Sequence, residues 1–186
     1  MFKDALHEQL GSWPLAYIPW DGADHGEVAR IAGVVGDGGD DAFHDAWNDA
    51  AERLMDEGRA ALARGHAGSA RAYFLRAAGF FAKSTHPLFG APVDPRLPAA
   101  ARRQMAAFAQ GMALGHEPAL ALLIPFDPVP LPAWLVPAQG QANLRRPLVV
   151  FVNGYDGSIT DLYFGSAVAA ARRGYHSLVF DGPGQG

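Results

Sequence analysis

Residues 146–157 read RPLVVFVNGYDG, and residues 175–186 read YHSLVFDGPGQG. In the first stretch Leu148, Val149, Val150, Phe151 and Val152 are apolar without alternation. A half-buried strand alternates with a period of two, so an unbroken apolar run predicts a strand buried on both faces, as in a parallel sheet covered by helices. The run ends at Asn153-Gly154-Tyr155-Asp156-Gly157, whose Asn, Asp and Gly are turn formers. A helical segment follows over about residues 160–173, with Gly174 as its stop. Residues 175–180 then read as a second apolar strand that closes on Asp181-Gly182-Pro183-Gly184-Gln185-Gly186. Strand, helix and strand in this order predict a βαβ crossover.

Upstream, residues 119–124 and 131–136 read as two short strands around Asp127-Pro128-Val129-Pro130. Prolines at that density suit only an edge hairpin, because each one removes a ladder donor. Before residue 115 the period changes. Phe43, Trp47, Ala50, Leu54, Gly58 and Ala61 recur at three- and four-residue steps, which marks one face of a helix over residues 41–64. Asp40 is its expected N-cap and Gly65 its stop. A second helix is predicted over 69–83, where Ala70, Tyr73, Phe74, Ala77, Phe80 and Phe81 share a side, so that the two make a helical hairpin. That aromatic stripe reads first as core. A third helix fits 98–114, while residues 86–92 read as a non-helical linker and 21–41, rich in Gly and Asp, as loop. The expected segments are therefore 1–40, loop-rich; 41–116, helical; and 117–186, an edge hairpin plus one βαβ.

With 186 residues, 49% hydrophobic and 18% charged, the chain can bury a sizeable core. Lys+Arg 15 against Asp+Glu 19 leave a net charge of −4, which offers no basic footprint to nucleic acid or an anionic membrane. Neither is expected as a partner. The absence of cysteine removes disulfides, thiolate nucleophiles and Cys-ligated zinc. The opening MFKDALHEQLGSW lacks the apolar run of a signal peptide, and no apolar stretch reaches the roughly 18 residues of a spanning helix. A cytoplasmic, water-soluble protein is the expectation.

None of the seven histidines (His7, His25, His44, His66, His86, His116 and His176) falls in an H-x-x-x-H or H-E-x-x-H spacing. The acidic group Asp37, Asp40, Asp41 and Asp45 lacks the register of a calcium loop. No metal is expected. Gly182-Pro183-Gly184-Gln185-Gly186 follows a strand, yet its third glycine comes one residue early for a dinucleotide fingerprint, so no cofactor is expected and a nucleotide binder is the third-placed reading.

From residue 119 onward, IPF, LPAWLVPA, RPLVVFVNGYDG and YHSLVFDGPGQG together resemble the α/β-hydrolases. They are most similar to the branch with an N-terminal helical domain, which includes 2,6-dihydroxypseudooxynicotine hydrolase, fungal pigment-pathway acyl hydrolases and the fermentation–respiration switch proteins. SARAYFLRAAGFFA at 69–82 and Asp94-Pro95-Arg96-Leu97 extend the resemblance to roughly residues 41–186, with GPGQG and NGYDG its most specific parts. It implies an α/β fold in which a helical, cap-like domain precedes the first strands of a hydrolase sheet. It also implies a serine hydrolase acting on an ester, or on an activated C–C bond next to a carbonyl, of a small-molecule substrate. By the same resemblance the Tyr155 backbone N–H belongs to the oxyanion hole, with Gly154 allowing the tight turn, while Asp156, Asp181, Gly182 and Gly184 shape the pocket. Caps of this kind pack against each other, so the resemblance includes a homodimer among its implied partners.

A nucleophile elbow needs G-x-S-x-G, with an acid and a His downstream. The six serines Ser12, Ser69, Ser84, Ser158, Ser166 and Ser177 are preceded at that offset by Leu10, Ala67, Ala82, Asp156, Phe164 and Tyr175, none of them Gly. The expectation is therefore the front, truncated portion of a longer hydrolase, inactive by itself. The rival reading is a helical-hairpin interaction module without catalysis.

Overall fold

The computed structural model describes residues 1–117 and 119–185, so Pro118 and Gly186, the last glycine of the GPGQG loop, lie outside the described residues. The chain divides into two compact units, Met1–Leu114 and Gly115–Gly186.

The first unit is helical: α1 (Ala5–Ser12), a 3-10 stretch (Trp13–Trp20), α2 (His25–Val35), α3 (Asp40–Ala63), α4 (Ala67–Thr85), a 3-10 turn (His86–Leu88) and α5 (Arg96–Ala113). The first 40 residues are therefore not loop-rich, and the expected loop at 21–41 holds α2. Its Gly and Asp residues sit at the helix ends. The Asp24 carboxylate accepts from the N–H groups of Gly26 and Glu27, and Gly36 leaves the helix at φ +54°. Between them Val28, Ile31, Ala32 and Val35 are buried at helical spacing. Asp40 is the first residue of α3 rather than its cap, a position Gly39 takes, and its carboxylate lies 2.9 Å from His7 Nε2 instead. Residues 86–88 of the expected linker also coil into one turn.

The core of this unit forms where α3 and α4 face each other. Phe43 and Trp47 from α3 and Phe74, Phe80 and Phe81 from α4 are fully buried. The Trp47 and Phe80 rings meet edge to face, 4.9 Å between centroids, the geometry their quadrupoles favour. Lys83 is buried with its ammonium 3.9 Å from the centre of the Trp13 ring. No helix among the described residues is long and apolar enough to cross a membrane.

The second unit carries β1 (Leu120–Ile124), β2 (Leu131–Val136), β3 (Leu148–Val152) and β4 (His176–Phe180) in the order β1-β2-β4-β3. β1 and β2 form the antiparallel hairpin, β2 pairs antiparallel with β4, and β3 lies parallel to β4. The crossover between them consists of α6 (Ile159–Leu162), a π-helical turn (Tyr163–Ala167) and α7 (Val168–Arg172), ending at Gly174 with φ +83°. Ser158 and Asp161 close a capping box at its start.

The structure departs from the sequence pattern at β3. β4 is paired on both sides, and β3 takes the edge of the sheet. β3 is also covered on one face only: Val149 and Phe151 share a face with the buried Ser177 and Val179, whereas Leu148, Val150 and Val152 are exposed. The crossover packs against β4.

Candidate active site

Parallel β3 and β4 end side by side, with Val152 opposite Phe180. Backbone turns at the carboxyl ends of such strands are where open α/β sheets bind ligands. The turn at 153–157 leaves β3 there, and the loop at 181–185 leaves β4. Because β2 runs antiparallel to β4, the tip of the β1–β2 hairpin reaches the same edge, and Asp181 N–H donates to Pro132 O at 3.1 Å. Phe126, Val129, Leu131, Gly182, Pro183 and Gln185 help line an open groove of about 360 Å³ between hairpin and loop. Its walls are chiefly apolar.

Asp181 anchors this corner from below. It is 2% exposed, and its Oδ1 accepts from Asn153 Nδ2 at 2.9 Å and from Ile159 N–H at 2.7 Å. The end of β3, the end of β4 and the start of α6 thus meet on one oxygen. Burial pushes the carboxyl up to about 7, with the Asp161 charge adding to the rise and the two hydrogen bonds opposing it.

Of the residues the sequence singles out, the structure brings Gly154, Tyr155, Asp181, Gly182 and Gly184 to this edge. Gly182 and Gly184 line the groove, whereas Asp181 lies under the loop as its anchor. Asp156 belongs to the turn but does not line the groove. Gly154 is not required by the turn, because its φ is not left-handed and a Cβ there would meet nothing closer than Asp156 Oδ1 at 3.7 Å. The close approach occurs at Gly157, where a Cβ would lie 2.9 Å from Asn153 Oδ1. The Tyr155 side chain is 86% exposed, and its backbone N–H has no acceptor among the described residues.

Asn153 and Gln185 were not singled out from the sequence, yet their side chains make the contacts between turn and loop. Gln185 Nε2 donates to Gly154 O, while its Oε1 accepts from Gly182 N–H at 2.8 Å. The available signal was a single long polar side chain within an otherwise Gly-Pro loop.

Among the described residues nothing at this edge supplies a nucleophile–base pair. Ser158 Oγ donates to Asp161 Oδ2 at 3.0 Å, and Ser177 is buried within β4. Both ring nitrogens of His176 are engaged, Nδ1 accepting from Ala138 N–H at 3.0 Å and Nε2 lying 2.9 Å from Leu144 O. Among the described residues no group of three His, Asp or Glu could hold a metal ion.

No family model matches the chain. It is 34% identical over 92% of its length to 20-hydroxy-prefusarin hydrolase FUS2 of Gibberella moniliformis and 33% identical, also over 92%, to hydrolase acrC of Aspergillus aculeatus. With alpha/beta hydrolase ucsC of an Acremonium species it shares 32% over 90%. It spans 42%, 43% and 37% of those proteins, less than half of each. The crystal structure of 2,6-dihydroxy-pseudo-oxynicotine hydrolase superposes on 92% of the chain with a TM-score of 0.75 and 21% identity, the match covering 46% of that protein. A helical N-terminal unit followed by a mixed sheet in the order β1-β2-β4-β3 gives the chain the fold of the front part of an α/β-hydrolase, and the sequence relatives it resembles over about nine-tenths of its length carry hydrolase names.

Proposed function

We propose that this chain forms the oxyanion side of a serine hydrolase that cleaves an ester, or an activated C–C bond next to a carbonyl, in a small organic substrate. When a nucleophile adds to a carbonyl carbon, the C=O π pair moves onto oxygen, and a preorganised donor aimed at that oxygen lowers the barrier. The observation that carries this reading is the Tyr155 N–H, left without an acceptor among the described residues in the turn at the carboxyl end of β3. The nucleophile, acid and His belong, on this reading, to sequence beyond these 186 residues, and the helical unit acts as a cap that selects substrate. The relatives' names, which specify 20-hydroxy-prefusarin and 2,6-dihydroxy-pseudo-oxynicotine, support a small-molecule substrate.

The test exploits the donor's being main chain. In the longer protein, Tyr155→Ala keeps the N–H and should leave kcat nearly unchanged, whereas Tyr155→Pro removes it and should lower kcat by roughly 10²–10³. A folded Pro variant with full kcat on p-nitrophenyl acetate would refute the assignment, and an intact wild-type protein without any hydrolysis would favour the interaction-module reading.

A further inference from the structure

We propose that Gln185 is a positioning residue for the Tyr155 N–H, acting through the carbonyl of Gly154; the proposal rests on the oxyanion reading above. A trans peptide is planar, so the C=O of one residue and the N–H of the next point to opposite sides of the same plane. Whatever holds Gly154 O therefore sets the direction of Tyr155 N–H.

Among the described residues Gly154 O has two partners. One is Gly157 N–H at 3.3 Å, a long bond within the turn that moves with it. The other is Gln185 Nε2, which comes from a separate loop. A single bond inside a tight turn leaves the peptide free to rock. A second bond from outside fixes its plane.

Gln185 is itself held in place. Its Oε1 accepts from Gly182 N–H at 2.8 Å, and since that donor can face only the oxygen, the amide must present Nε2 to Gly154 O. Its main-chain N–H donates to Gly182 O at 3.0 Å. The glycines allow this folding back: a Cβ at Gly182 would lie 3.1 Å from Gln185 Oε1, and Gly184 sits at φ +80°, which disfavours other residues. The loop is tied to the sheet through Asp181, whose N–H reaches Pro132 O at 3.1 Å and whose carboxyl group holds Asn153, the first residue of the turn, at 2.9 Å. The chain of contacts thus runs from β2 and β4 through the loop to one peptide plane. Gln185 also lines the groove, so its amide is within reach of the region where substrate would lie.

The experiment compares Gln185→Leu and Gln185→Glu with wild type in the full-length protein, on p-nitrophenyl acetate across pH. Misaiming a donor without deleting it should lower kcat by roughly 10- to 100-fold while KM stays within a few-fold. The Glu variant adds a signature that a merely structural role would not produce. As a carboxylate it has no donor for Gly154 O, whereas the protonated acid has an O–H. Its kcat relative to wild type should therefore recover as pH falls through the carboxyl range, while that of the Leu variant stays flat. If both variants keep wild-type kcat while Tyr155→Pro loses it, the clamp is overturned and the oxyanion reading stands. Full kcat in Tyr155→Pro overturns both. A loss in the Glu variant that does not change with pH, or a loss accompanied by an equal drop in thermal stability, assigns Gln185 to structure alone and overturns the positioning role.

Discussion

At the scale of single residues, Asp181 makes stability depend on pH in an unusual direction. An ordinary surface carboxylate paired with a cation stabilises the fold above its pKa. Asp94 is such a group, held down at about 2 by its hydrogen bonds to Arg96. Burial raises Asp181 to about 7 against an ordinary 3.8. The folded chain then binds the proton more tightly than the unfolded one, so stability falls as pH rises from near 4 to near 7 and is flat above. Its two hydrogen bonds both fall on Oδ1, which leaves Oδ2 to carry the proton. Asp181→Asn mimics that neutral form, still accepting from Asn153 and Ile159. The variant should gain on wild type between pH 4 and 7, with a slope difference of at most about 1.4 kcal/mol per pH unit. Denaturant titrations at pH 5 and pH 8 check this, and a gap of equal size at both would refute it. The site was legible in the sequence as far as its backbone: a turn after an apolar strand and a glycine loop after the next. Asn153 and Gln185 escaped because a hydrogen bond across 28 or 31 residues leaves no local period to read.

Among the elements, glycines set how closely the helices of the first unit approach. A Cβ on Gly58 of α3 would lie 2.5 Å from the Phe74 ring, and one on Gly111 of α5 would lie 2.5 Å from Leu75 Cγ and 3.2 Å from the Leu75 backbone N. Leu75 is buried and the second neighbour is main chain, so neither can swing aside. Gly111→Ala gains up to about 1 kcal/mol of helix propensity but overpacks the α4–α5 contact at a cost of about 1–3 kcal/mol, and it should lower Tm. Gly33 in α2 provides the contrast: a Cβ there meets nothing within 4 Å, so Gly33→Ala should raise Tm by the propensity term alone. Calorimetry on the two variants decides, and a stabilised Gly111→Ala would show that the helices can part freely. The helical period exposed α3, α4 and α5 in the sequence because each buries a long stripe. It failed for α2, where four buried residues lie between glycines that resemble loop composition, and for residues 86–88, where one short turn has too few positions to show a period.

For the whole molecule, the unbroken apolar run of Leu148–Val152 remains only half explained by the residues in hand. Val149 and Phe151 on one face of β3 are half-buried, while Leu148, Val150 and Val152 are exposed on the other, Val152 by 69%. Leu120 and Leu122 of β1, exposed by 56% and 40%, fall in register on that same open face through their pairing with Leu135 and Ala133. Parallel strands are rarely left this way, and an unpaired apolar edge is a template for another chain. Residues 1–186 expressed alone should therefore form oligomers or aggregates by light scattering, and Val150→Lys, which places a charge on the edge strand, should shift them towards monomer. The same preparation should not turn over p-nitrophenyl acetate, since no serine here sits in an elbow sequence and the hydroxyl of Ser158, nearest the turn in sequence, is bonded to Asp161. The two arms fail separately. Turnover abolished by a fluorophosphonate would place a working nucleophile within these residues and end the front-portion reading, whereas a stable, inert monomer would show that the open face of β3 tolerates water and would leave the missing-nucleophile argument standing.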